Sequence, residues 1–363
     1  MVFPRVFLAA LLCAACTPAS PVPASRKALP ELVPFVDTNP DPDVVEVSLV
    51  VAEGMVEYLP NRAANVWGYR DASANGSPLR VPGPLIDAKQ GDLVIVHARN
   101  DLPKDGTSIH FHGIRLSSDM DGAHHAMLPG EVWEQRFVAK DAGLFWYHPH
   151  IRADVQIERG LHGPLVVREN EASRAPGDRI LVLDDVKLDA NGDLPEEWTE
   201  DDILHGRQGN VLLVNGASNP ELRVTAGSRE RWRLVNTSNG RIFNLALDKH
   251  VFTVIGWDGG RLGNSYEAKT LVISPGERYD VVVDITGKVG DSFALRTGVH
   301  DADDAIESAE TLLTMAIENG PSGQCGSWAG PRHHAAPYLC RDSRAFVRLG
   351  TGPRKTLRAA LYD

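Results

Sequence analysis

At 363 residues the chain is long enough for two domains, and its 43% hydrophobic and 23% charged content is that of a soluble globular protein. A net charge of −11 argues against a nucleic-acid partner or an anionic lipid surface, because phosphate recognition needs clustered Lys and Arg. With 24 Pro and 33 Gly, turns and short strands are favoured over long helices.

The first sixteen residues, MVFPRVFLAALLCAAC, read as an export leader that extends over residues 1–25. Arg5 supplies a positive end, and the apolar stretch from Val6 to Ala15 is too short to span a bilayer. Ala14-Ala15-Cys16 resembles a bacterial lipoprotein cleavage site with Cys16 as the lipid anchor, although Cys13 stands where such boxes usually carry Leu. The competing reading of Cys16 is a spare thiol in a leader cut elsewhere. Either way the chain is expected to be exported, to the bacterial periplasm or to an outer membrane anchor. Residues 26–44 then read as a Pro-rich tether, extended and unpacked.

From residue 45 the readable pieces are strands. VVEVSLVVAEGMVEY (44–58), DLVIVHARN (92–100), EVWEQRFVA (131–139), GLFWYHPH (143–150) and GPLVVRE (163–169) alternate or run apolar between Gly, Pro and Asp. The texture returns from RILVLDDVKL (179–188) to TLLTMAIE (311–318). Many short strands at regular spacing argue for β-sandwiches or barrels. An internal repeat organises them. PLIDAKQGDLVIVHARN (84–100) matches PELRVTAGSRERWRLVN (220–236), placing Pro84, Gly91 and Asn100 against Pro220, Gly227 and Asn236. Pro129-Gly130-Glu131 likewise matches Pro275-Gly276-Glu277. The expectation is two copies of one β-domain, at residues 45–170 and 177–318, joined by ENEASRAPGD. Residues 319–363 differ: seven basic and two acidic residues, no clear alternation, and two of the four cysteines, Cys325 and Cys340. They read as an irregular tail.

Two histidine pairs interrupt the first copy, His110-Phe111-His112 and His148-Pro149-His150. In the second copy Asn244-Leu245-Ala246 and, roughly, Arg296-Thr297-Gly298 take their places. The fold therefore does not need these histidines. Residues i and i+2 share a strand face, about 7 Å apart at Cα, so two neighbouring strands would converge four imidazoles. Unperturbed imidazole is mostly neutral at pH 7, and a nitrogen-only donor set suits Cu, Zn, Fe or Ni. Pro149 cannot donate to a sheet ladder, so it marks an edge or bulge that could re-aim His150. An amidohydrolase also opens on His-x-His, but the βα alternation it needs is missing.

The segments ANVWGYR, VPGPLIDAKQGDLVIVHARNDLP, TSIHFHGIRL, MDG, LPGE, GLFWYHPHIRADVQIERGLHGPLVV and LLVNG resemble the first two cupredoxin domains of a three-domain, laccase-like multicopper oxidase. The resemblance runs from about residue 45 to 318. It implies an all-β fold of two tandem cupredoxin-like Greek-key β-sandwich domains between the N-terminal leader and the irregular C-terminal tail. It also implies copper as cofactor, with oxygen and a small electron donor (a phenol, an aromatic amine or a metal ion) as partners. By the matching motifs His110 would bind the type 2 copper, and His112, His148 and His150 the type 3 pair. Asp121, in Met-Asp-Gly, would assist proton delivery to oxygen; the alternative is a turn residue before Gly122.

The resemblance also fails in one place. The family takes its type 1 ligands and the remaining cluster ligands from a His-x-x-His-x-His and a His-Cys-His motif of the third domain. Neither is present, and no cysteine lies between residues 17 and 318. The sequence thus carries half of the trinuclear site, which leaves open whether it is an enzyme. It reads as a truncated or frame-shifted product or as the partner of a separately encoded third cupredoxin domain, with a non-enzymatic copper-binding pair or an inactive fragment as the alternative function. Among other histidines, His124 and His125 read as exposed loop residues, His162 as packing, and His97 and His250 as ordinary strand residues. His333-His334 could chelate stray metal.

Overall fold

A computed structural model describes residues 26–169, 177–195, 197–298 and 309–320. The leader, Cys16, His333-His334 and the tail from residue 321 lie outside the described residues.

In chain order the first sandwich contains β1 (Val44–Leu59), β2 (Arg62–Asp71), β3 (Ile86–Lys89), β4 (Leu93–Asn100), β5 (His110–His112), β6 (Val132–Val138), β7 (Gly143–His148), the short helix α1 (Ala153–Glu158) and β8 (Gly163–Arg168). The second contains β9 (Asp178–Val186), α2 (Glu200–His205), β10 (Val211–Val214), β11 (Glu221–Thr225), β12 (Arg229–Asn236), β13 (Phe243–Leu247), β14 (Phe252–Trp257), β15 (Gly260–Ala268), β16 (Leu271–Ile273), β17 (Arg278–Asp284), β18 (Ser292–Gly298) and β19 (Glu310–Glu318). The sheets run β2-β1-β4-β6 and β3-β8-β7-β5 in the first, and β10-β9-β12-β17-β14-β15 and β11-β19-β18-β13-β16 in the second. Parallel pairing of β1 with β4 and of β9 with β12, among otherwise mostly antiparallel strands, gives Greek-key crossings.

Alternation builds each core. Val47, Leu49 and Val51 of β1 turn inward onto Val94, Val96 and Ala98 of β4, and meet Phe111, Phe145, Tyr147 and Leu165 of the facing sheet. Trp232, Leu234, Phe243, Leu245, Val281, Val283 and Leu295 do the same in the second.

The repeat survives at the level of single hydrogen bonds. The Asn100 side-chain amide donates to the carbonyls of Asp105 (2.8 Å) and Met127 (2.9 Å), and that of Asn236 donates to Arg241 (2.8 Å) and Ile273 (2.9 Å). Gly130 N–H donates to Asn100 O, and Gly276 N–H to Asn236 O. Register also corrects one alignment. His110 pairs with His148 across β5 and β7, whereas Asn244 pairs with Gly298 across β13 and β18. With Asn244 as the counterpart of His110, the counterpart of His148 is Gly298, two residues beyond Arg296. Sequence spacing missed this because the two loops preceding these strands differ in length.

The expected loose tether is instead a packed strap. It is extended, but Leu29 N–H donates to Glu221 O (2.8 Å) on the second sandwich, while Phe35 N–H donates to Leu85 O (2.9 Å) on the first. Phe35 is buried in the first core and Leu32 in the seam between sandwiches, beside Leu85, Leu144, Trp146, Val182 and Val235. Pro favours extended backbone, but it does not keep Leu and Phe in water when an apolar seam is available.

Ion pairs close the same junction. On the second-sandwich side Arg233 makes a bidentate pair with Asp178 (2.8 and 3.0 Å), both buried, and Asp178 also accepts from Arg168 of the first sandwich (3.4 Å). Glu169, at the end of the first sandwich, accepts from Arg231 (3.1 Å) and Arg261 (2.6 Å) of the second. Burial alone would raise the Glu169 carboxyl, but the three neighbouring guanidinium groups overcome it and hold the pKa well below the usual carboxylate range.

His162 is fully buried, 3.4 Å from Asp184. Burial holds its pKa down to about 4, while burial and the neighbouring acids Asp185 and Glu158 push Asp184 well above the carboxylate range. A histidine with a depressed folded-state pKa stabilises the fold above its unfolded value near 6.5, and this is lost as pH falls through about 4. Relative to His162→Phe, the wild type is therefore expected to lose on the order of 3 kcal/mol between pH 6.5 and 4. Urea unfolding of both proteins across that range measures it.

Candidate metal centre

The histidine pairs lie on, and just beyond, the outward face of the first sandwich's second sheet. On β5, Phe111 points into the core, so His110 and His112 share the opposite face. On β7, Phe145 and Tyr147 point inward, and Leu144, Trp146 and His148 line the face turned toward the second sandwich. Antiparallel pairing sets His110 opposite His148 and His112 opposite Trp146.

The donor atoms converge. One ligand nitrogen from each of His110, His112 and His148 lies within 4.8 Å of the others. His112 Nδ1 sits 3.3 Å from His148 Nε2. His110 Nδ1 is 3.0 Å from the Asp121 carbonyl oxygen and 3.0 Å from its carboxylate. Both are acceptors, so Nδ1 carries the proton and Nε2 keeps a lone pair. His148 Nδ1 donates to Pro149 O (3.0 Å), which frees its Nε2 in the same way. A second hydrogen bond that fixes the tautomer is the usual support of a metal-binding imidazole.

His150 reaches the group differently from the strand picture. β7 ends at His148, since Pro149 has no N–H for the ladder, and His150 lies beyond it in a bend, exposed. Its backbone N–H donates to Ser108 Oγ (2.9 Å), which holds its ring 4.3 Å from that of His110 and stacked at 5.7 Å on that of His148. Its nitrogens do not belong to the tight three-residue group.

Electrostatics favour neutral rings. Burial depresses His148 well below the ordinary histidine value, and its bond to Pro149 only partly opposes this. Burial, with Arg278 and the neighbouring imidazoles, brings His112 to about 4. Burial and His110 also lower His150. Lone pairs are thus available at neutral pH, and the donor set fits a borderline transition metal such as copper.

Several supports were not singled out from sequence. Trp146 stacks on His112 (5.0 Å) and lies against His148 (4.1 Å); its spacing of two from His148 was the available signal. Buried Gln135 donates to the carbonyls of Ile109 and Met120 (both 2.8 Å), tying the loop that carries Asp121 to β5. Gly122 has φ +78°, and a Cβ there would overlap the Ile109 carbonyl. Gly122→Ala is expected to cost on the order of 3 kcal/mol and to separate Asp121 from His110, which thermal unfolding and copper titration read together. Of the remaining histidines, His97 bridges Glu46 (2.8 Å) and Glu134 (3.5 Å) across the first sheet. His250 accepts from Thr286 N–H (3.1 Å). His125 stacks on Trp133 (4.3 Å). None of these three belongs to the metal-competent group found among the described residues.

Two family models described as multicopper oxidase match residues 57–172 and 183–319. A multicopper oxidase of Staphylococcus epidermidis is 32% identical over 258 residues, covering 68% of this chain and 55% of that protein. One of Mycobacterium tuberculosis is 32% identical over 278 residues, covering 67% and 53%. The chain thus spans about half the length of these relatives. Among solved structures, a multicopper oxidase of Campylobacter jejuni described as a metallo-oxidase superposes with TM-score 0.70 at 26% identity, covering 82% of this chain and 62% of that one. A laccase-like multi-copper oxidase of Ochrobactrum sp., with oxidase activity towards lignin model compounds, gives 0.70 at 29% identity, covering 86% and 68%. With its two β-sandwiches, its converging imidazoles and matches over both halves, the chain belongs to the multicopper oxidase family.

Proposed function

We propose that the chain forms the oxygen-side half of a copper oxidase, in which His110 holds a type 2 copper and His112, His148 and His150 hold the type 3 pair. The observation that carries this is the convergence of free imidazole nitrogens from β5 and β7 on one spot. When bound, copper supplies the one-electron steps that couple oxidation of a donor to four-electron reduction of oxygen to water, chemistry that ordinary side chains lack. The protein's own part is positional. Asp121 fixes the His110 tautomer and hands protons to oxygen. Trp146 packs against the His112 and His148 rings and keeps them in place. The donor is a phenol, an aromatic amine or a reduced metal ion.

Residues 45–170 and 177–318 are the two cupredoxin units on this reading. With no thiolate between residues 17 and 318, the blue type 1 copper and the remaining cluster ligands come from a third cupredoxin domain outside that region, for instance a separately encoded one. The protein works after export, in the periplasm or held at the outer membrane through a lipid on Cys16. Purified with copper, the chain alone is expected to retain about one or two copper ions by mass spectrometry, to lack blue colour, and to take up no oxygen with a phenolic donor. Blue colour with turnover would refute the missing-half reading. Copper without turnover, even after a third domain is added, would favour a non-enzymatic copper-binding pair, the reading that the missing thiolate supports.

A further inference from the structure

We infer that Arg278, from the sandwich that carries no histidine ligand, is a positioning residue of the metal centre, locking His112 from behind. This rests on the reading of the histidines as copper ligands. Arg278 opens β17, is buried, and crosses the seam. Its Nε–H donates to Leu144 O (3.1 Å) near the start of β7, and Nη1 donates to Gly276 O (3.0 Å) and pairs with Asp258 (2.9 Å). The guanidinium lies over the Phe145 ring, 5.9 Å from its centroid. Nη2 fills the space that a side chain on Gly113, the residue after His112, would need. The turn that Arg278 holds is itself the wall of the site: a Cβ on Gly276 would come within 3.0 Å of His112 Cε1 and 3.3 Å of Nε2. One side chain thus joins β7, the residue following His112, and the turn that backs the His112 ring.

The repeat makes the assignment specific. Arg99 pairs with Val132 across β4 and β6, and Val235 pairs with Arg278 across β12 and β17. Arg278 and Val132 are therefore counterparts, three residues after Pro129 and Pro275. Val132 is 64% exposed and Arg278 only 4%. The fold needs no arginine at this position. The copy with the histidines lacks it, and the copy without them aims it at them.

Partners that orient a metal ligand typically affect affinity 10–100-fold. In the full chain, Arg278→Met is expected to weaken Cu(II) binding at least about tenfold and to alter the copper electron paramagnetic resonance spectrum. Arg278→Lys, which keeps charge but not the fork, should recover less than half of the affinity loss on a logarithmic scale. Gly276→Ala should shift the same spectrum by crowding His112. In the metal-free protein, the imidazole 1H–15N signals of His112 should move in Arg278→Met while those of His250 stay. Unchanged affinity, spectrum and His112 signals, with only a lower melting temperature, would overturn the inference. Failure of the wild type to bind copper would instead overturn the ligand reading, and the metal-free His112 signals would still decide whether Arg278 holds that ring.

Discussion

Replacing His112 or His148 by Ala is expected to weaken copper binding by at least about 100-fold, beyond the range seen when only an outer partner of a ligand is lost. His148 is the one buried ring of the four, and half-buried His112 faces it with its nitrogen 3.3 Å away. Removing either leaves the other with at most one close neighbour in the group. His205→Ala, on the exposed end of α2, should leave affinity unchanged. Competition with a chelator of known affinity measures all three. An equal loss in the His205 variant would point to adventitious surface copper and count against the site.

Asp178→Ala should have the largest effect on stability. It strips a bidentate partner from Arg233, which is fully buried, and leaves that guanidinium with Glu169 at 3.5 Å. Breaking a buried pair from one side costs about 3–5 kcal/mol, since the remaining charge stays desolvated. Denaturant unfolding should show a lower midpoint of that size. A double change of Asp178 and Arg233 to apolar residues of similar volume should recover most of it. If the single variant costs under about 1 kcal/mol, the junction is wetter than its geometry implies.

Much of this was legible in the sequence because it depends on local periodicity. The strands follow from period-two alternation, the two sandwiches from the repeat, and the histidine pairs from their absence in the second copy. What stayed hidden depends on relations across the chain. Gly276 and Arg278 back the His112 side from the other sandwich, and Ser108 catches His150 from the segment before β5; the Pro-Gly-Glu repeat and the segment around the first histidine pair were visible, but not which histidine each residue would meet. The strap was misread because Pro-rich composition describes the backbone's preference, whereas Leu32 and Phe35 respond to an apolar seam formed by strands far along the chain. His150 departs from the strand picture for a reason that was visible, Pro149, but the hydroxyl that catches it comes from residue 108.

The strap has a consequence for how the molecule is assembled. Its hydrogen bond from Leu29 to Glu221 joins a segment made early to a strand made much later. Such closures of long chain segments are entropically costly and come late in folding. Until then Leu32 stays uncovered, together with the seam it will fill. A newly made chain is therefore expected to pass through a sticky, half-clasped stage. Molecular chaperones would be expected to engage it there, and a fold caught in that stage could clasp a neighbouring copy in place of itself.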